Sequence, residues 1–172
     1  MAETDTPATG AAEGQAQVAP KVSIKAQYVR DLSFENVAVQ SGDGRLDAKP
    51  DIQVGVNLDA KKRGDALYEV ILKINATAKS GDATMFIAEL EYAGIFEIAG
   101  APENQLHPFL MVECPRVLFP FARRIISDAT RDGGYPPLML DMVDFVGLYR
   151  AEVEKRKAAA DLSEPREGLF YD

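Results

Sequence analysis

LYEVILKINATAKSGDATMFIAELEYAGIF, residues 67–96, carries two apolar runs of period two around a short polar break. In the first run Tyr68, Val70, Leu72 and Ile74 share one side; in the second Phe86, Ala88, Leu90 and Tyr92 do, with Met85, Ile87, Glu89 and Glu91 opposite. Successive side chains of an extended chain point to opposite faces, so each run is a half-buried strand. The break KSGD, residues 79–82, is a turn, and a turn that short makes its flanking strands antiparallel neighbours. Upstream, DIQVGVNL (residues 51–58) repeats the alternation with Ile52, Val54, Val56 and Leu58, and DAKKRGD (59–65) reads as the next turn. The first strand is SIKAQYVRDLSFE (23–35), with Ile24, Ala26, Tyr28, Leu32 and Phe34 on the apolar side and Val29 out of phase. A four-stranded antiparallel meander is expected, with NVAVQSGDGRLDAKP (36–50) as a surface crossover between strands one and two.

Beyond Gly100 the pattern becomes helical. LHPFLMVECPRVLFPFARRIISDATR (106–131) is apolar on more than one side in its first half. Proline suits a first helical turn and disrupts an interior. The expectation is a short helical turn, a break near Pro115, and a long helix to about Thr130 stopped by Gly133 and Gly134. A second helix is predicted over 142–158, capped by Asp141 or Asp144. Strands first and helices afterwards is an α+β arrangement, here with two C-terminal helices packed on one side of the sheet. Residues 1–21 are a polar extension expected to be disordered, 22–158 form one domain, and 159–172 form a mobile acidic tail.

The 172 residues are 47% hydrophobic, enough for one domain with a core. A net charge of −8 argues against phosphate-neutralising nucleic-acid binding. No apolar run reaches 18 residues, so no helical membrane insertion is expected, and the N-terminus lacks the basic and apolar regions of a secretory signal. The single cysteine, Cys114, excludes an internal disulfide and suits a reducing cytoplasm. Chemistry is equally sparse. His107 stands alone beside Pro108, Cys114 sits among apolar residues as an inert thiol, and no Cys/His spacing fits a metal. SGDGRL (41–46) lacks the helix and lysine of a phosphate loop, and Asp141 and Asp144 are explained as helix caps. The chain reads as a non-enzyme without cofactors.

Three features exceed what a small monomer requires. The sheet's outer face carries Val29, Ile71, Met85 and Ile87; the long helix is apolar around more than one face; and the connector GGYPPLML (133–140) is apolar where a loop is usually polar. Together they point to surface buried by self-association or left open for a ligand.

The blocks QYVRDLSFEN (27–36), YEVILKINATA (68–78), AGIFEIAG (93–100) and ECPRVLFPFARRIISDATRDGGYPPLMLDMVDFVGLY (113–149) resemble those of the SecB family of bacterial protein-export chaperones, over roughly residues 22–152. The resemblance implies a cytoplasmic homotetramer, a dimer of dimers. It implies an ATP-independent holdase that binds unfolded precursor proteins and delivers them to the SecA motor of the translocase. The family's motor-binding residues fall on Asp31, Glu35, Ile87 and Glu89 of this chain. Its client groove, bordered by the helix-connecting loop with the crossover opposite, would place Tyr135, Pro136, Leu138 and Leu140 against an extended client. Two departures are visible: no aromatic stands near the start of strand two, and the chain has no Trp, which bears on groove depth. A rival reading is an adaptor that binds one folded partner through the acidic sheet face; a more distant one is an enzyme using Asp141 or Asp144.

Overall fold

The computed structural model describes residues 20–42 and 49–163, with side chains through residue 160. The crossover tip, most of the N-terminal extension and the last nine residues lie outside the described residues, and with them the expectations of a disordered start and a mobile end. The elements are β1 (Lys21–Glu35), α1 (Val37–Gln40), β2 (Asp51–Gly64), β3 (Leu67–Ser80), β4 (Ala83–Ala99), α2 (Glu103–Pro108), a π-helical segment (Phe109–Glu113), α3 (Cys114–Asp132) and α4 (Phe145–Ser163).

All four strands are antiparallel, in the order β1-β4-β3-β2. The full meander is thereby corrected: only β2, β3 and β4 follow one another, and the crossover carries β1 to the far side of β4, a Greek-key order. The reason is hairpin chemistry. Residues 65 and 66 join β2 to β3, and 81 and 82 join β3 to β4, with Gly81 at φ 61°. Two-residue loops force adjacency and match strand twist. The long crossover forces nothing. DAKKRGD is also corrected, since β2 runs through Gly64 and only Asp65 and Ala66 turn.

The central strands carry the core. Val70, Leu72, Ile74, Phe86, Ala88, Leu90 and Phe96 are buried on the face that receives Leu118, Phe119, Ala122 and Ile126 of α3. These helical positions recur at three to four residues, which aligns them on one stripe. At Gly94 the helix sits directly on the sheet: a Cβ there would lie 2.9 Å from a methyl of Leu118. α4 leans instead on the π segment, across a cleft from β2, with Phe145 edge-on to Phe119 at 6.0 Å.

Two bulges, at Lys25 and Arg30, flip the middle of β1. Val29 therefore pairs Tyr92 on the helix face, while Tyr28 pairs Ala93 on the outer face. That explains why Val29 is out of phase and corrects its placement outside. Bulges flip register without an apolar signature. Ile71 and Met85 are buried, leaving Ile87 half-exposed on the outer face.

The helical region replaces the expected break at Pro115 with the π segment. Proline lacks the N–H for the preceding turn and crowds its carbonyl; a widened turn absorbs both demands without ending the helix. Pro115 then sits in the first turn of α3, and Pro120 is carried inside it. Gly134, at φ 88°, ends the helix as expected. Asp144 is the cap: its Oδ1 accepts from the Gly147 N–H at 3.0 Å, so α4 starts at Phe145 and runs past the predicted end.

On the outer face Glu69 is only 3% exposed. The Tyr28 hydroxyl donates to its Oε1 at 2.8 Å, Arg63 donates to Oε2, and Arg30 lies 3.6 Å from Oε1. Burial pushes this carboxyl up, but the Tyr28 and Arg63 hydrogen bonds outweigh it and hold it below its ordinary 4.5. A lowered folded value means that the contribution is complete above the unfolded value and is lost as pH falls through the folded one. Denaturant melts at pH 7 and pH 3 should therefore show Glu69→Gln losing less stability on acidification than the wild type; equal losses would remove Glu69 from the acid response.

Candidate functional site

The connector that follows α3 alternates between inward and outward side chains. Tyr135 is buried, its ring centroid 4.8 Å from that of Phe86, and its hydroxyl faces the acceptors Asn36 Oδ1 at 2.9 Å and the Met85 carbonyl at 3.2 Å. Asn36 in turn donates to the Gly133 carbonyl at 2.8 Å. The Leu138 N–H donates to Thr130 Oγ1 at 2.9 Å. These bonds pin the loop to α3, to β4 and to the end of β1. The expectation of a partly exposed Tyr135 on a groove wall is thus corrected within the protomer: its ring is packed in the core on Phe86, with its hydroxyl within reach of acceptors from distant parts of the chain. Leu140 is also buried; Pro136 and Pro137 are exposed, and Leu138 is half-buried.

A groove of about 330 Å³ nevertheless runs beside this loop. Ile52, Val54 and Val56 of β2 form one side; Leu138, Met139, Asp141, Met142 and Val143 form the other, with Asp141 the one charged residue; Phe119 and Leu140 also line it. It exists because β2 is an edge strand. The α3 helix covers β4 and β3, so the same-face residues of β2 project past it, and Val54 remains 45% exposed. Of the four connector residues read from sequence, the structure brings Leu138 and Leu140 to the groove and leaves Pro136 and Tyr135 out of its lining. Sequence reasoning missed the methionines and the β2 wall. The alternation of Ile52, Val54 and Val56 was visible, but only strand order shows that this face is uncovered.

The second candidate surface lies on the opposite face of the sheet. Glu35 pairs Ile87 and Ser33 pairs Glu89 across β1 and β4, while Asp31 pairs Glu91. Asp31, Glu35 and Glu89 are exposed, and among the described residues none is held in an ion pair. Glu91 is engaged by Lys73 at 3.3 Å and by Arg30 at 3.6 Å. Asp31, Asn75, Glu89 and Glu91 line a shallow polar depression of about 230 Å³. The structure thus gathers all four sequence-named residues, Asp31, Glu35, Ile87 and Glu89, into one acidic patch with a small apolar centre.

The remaining chemical groups are structural. His107 Nδ1 lies 3.2 Å from the Tyr149 hydroxyl, tying α2 to α4. Cys114 is buried, and burial, aided by Glu113, pushes its thiol up to about 12. Among the described residues no cluster of His, Cys, Asp and Glu could hold a metal ion.

Comparison with known proteins places this chain in a family. The family described as preprotein translocase subunit SecB matches residues 15–156. The protein-export protein SecB of Roseobacter denitrificans is 53% identical over 162 residues, covering 92% of this chain and 96% of that one. The protein-export protein SecB of Ruegeria sp. (strain TM1040) is 58% identical over 156 residues, covering 88% and 94%. Among solved structures, the Mycobacterium tuberculosis Rv1957 SecB-like chaperone, in complex with a ChAD peptide from the Rv1956 HigA1 antitoxin, superposes with a TM-score of 0.57 at 14% identity, covering 72% of this chain and 91% of that one, a likeness of fold. The chain belongs to the SecB family: it is a protein-export chaperone and not an enzyme.

Proposed function

We propose that the chain is an ATP-independent holdase, acting in the cytoplasm, that keeps unfolded precursor proteins competent for translocation and hands them to SecA. The observation that supports this reading is that an apolar groove and an acidic patch lie on opposite faces of one sheet. The apolar groove at β2 suits an extended apolar segment, and the acidic patch of Asp31, Glu35, Ile87 and Glu89 on the opposite face suits a basic partner. An adaptor that grips one folded partner through the acidic patch leaves the groove unexplained. Among the described residues no helix is long and apolar enough to cross a membrane.

Assembly as a dimer of dimers is part of the proposal. Val22, Ile24, Val29 and Leu32 lie on the helix face of edge strand β1, and with Val117 and Phe121 of α3 they are large apolar side chains left exposed by the protomer. An apolar edge strand requires cover, and a second copy supplies it. Several grooves on one assembly then hold one client through many weak contacts.

Reversing Asp31, Glu35 and Glu89 to lysine should weaken SecA binding about tenfold or more, with steep salt dependence, and leave precursor capture within about twofold. Calorimetry with SecA and with a reduced, unfolded precursor checks this. Equal loss of both activities contradicts a separate docking face.

A further inference from the structure

Two of the chain's five methionines lie on the groove rim, and nothing in the export reading uses their sulfur. Met139 is 59% exposed and Met142 81%, whereas Met85 is 2% and Met111 7% exposed. Both rim residues belong to the segment facing β2, and the Ser127 hydroxyl lies 3.4 Å from the Met139 sulfur. A thioether is the most readily oxidised apolar side chain, and its sulfoxide is polar. The competing sulfur is shielded: Cys114 is 1% exposed, and with its thiol raised to about 12 it presents almost no thiolate at neutral pH.

We propose that Met139 and Met142 are an oxidation site at which hypochlorous acid switches the groove from apolar to polar and releases or refuses client segments. This inference rests on the groove reading above. The thioether sulfur gives up two electrons and gains an S–O bond; the O–Cl bond breaks, chlorine leaves as chloride and the proton passes to solvent. Both sulfoxides then set acceptor oxygens on the rim that shares the groove with Val54 and Val56; Ser127 is placed to donate to the one at Met139, and an apolar client side chain seated there offers no donor in place of the water it displaces. A polar group buried without a partner opposes binding. Thiol-dependent methionine sulfoxide reductases reverse the step, so the change is a switch and not damage. Methionine is also the side chain best able to repack around varied segments, which explains thioethers at this rim where leucine would resist oxidation.

The full-length protein, treated with hypochlorous acid at a few equivalents per subunit, should gain oxygen at Met139 and Met142 before Met85 or Met111, as read by peptide mass spectrometry. Its affinity for a reduced, unfolded precursor should fall about tenfold, the loss of roughly one buried side chain per segment, and return after incubation with the reductases. In Met139→Leu/Met142→Leu the same treatment should leave affinity unchanged relative to that variant's own untreated value. Val54→Asp, at the opposite wall, reports on the groove itself. If Val54→Asp weakens capture but oxidation at the two rim sulfurs does not, or if treatment weakens the leucine variant as much as the wild type, the switch is overturned and the groove stands. If Val54→Asp has no effect on capture, the groove reading fails first and the switch fails with it.

Discussion

Replacing Tyr135 with serine should lower the unfolding free energy by about 3–5 kcal/mol, the range for truncating a buried aromatic. The ring packs on Phe86, and the hydroxyl's one proton is shared between Asn36 Oδ1 and the Met85 carbonyl, so the change opens a cavity and removes the donor that serves these acceptors. Tyr135→Phe keeps the ring and removes the donor, and should cost about 1–2 kcal/mol. Denaturant melts at one fixed subunit concentration measure both, since self-association would otherwise shift the midpoint. A loss under about 1 kcal/mol for serine would mean that Tyr135 is a surface residue. Precursor capture per folded molecule should be unchanged in Tyr135→Phe, because Tyr135 does not line the groove.

The opposite pattern is expected at Val54. Its side chain is 45% exposed on an edge strand, so Val54→Asp should cost no more than about 1 kcal/mol of stability. In the groove, however, an aspartate confronts each incoming apolar segment with a charge that has no partner. The lost apolar contact alone is worth about 1.5–3 kcal/mol per segment, and capture of an unfolded precursor should weaken by roughly tenfold to a hundredfold. Competition binding against a labelled precursor reads this. Unchanged affinity at normal stability would show that clients bind elsewhere.

The contrast between Tyr135 and Val54 marks what could be read before the structure. The strand faces of β3 and β4 were readable, because alternation is local and the KSGD turn between them announces itself. The helix stop at Gly133 and Gly134 was readable for the same reason, as was a cap at Asp141 or Asp144, between which the structure decides. Strand order was not, because β1 selects β4 through contacts that the long crossover does not constrain. Nor were the bulges at Lys25 and Arg30, which turn Tyr28 outward to Glu69 and Val29 inward. In GGYPPLML the apolar surplus was visible, but a loop has no period, so nothing local separates the inward Tyr135 from the outward Met139. The acceptors that hold Tyr135 come from residues 36 and 85, far away in sequence. The groove was therefore half seen. Of its loop wall Leu138 and Leu140 are legible and Met139 and Met142 are not, and its β2 wall is not legible because an edge position is a property of the whole sheet.

Photo-crosslinking from single positions compares the two faces of the sheet in one experiment. A benzophenone side chain placed at Val54 or Met142 should crosslink to an unfolded precursor, and one placed at Glu35 should not; with SecA present, Glu35 should crosslink to the motor. Client crosslinks from Glu35 as strong as those from Val54 and Met142, or none from the groove positions, would contradict a sheet that holds its client on one face and offers the other to the motor.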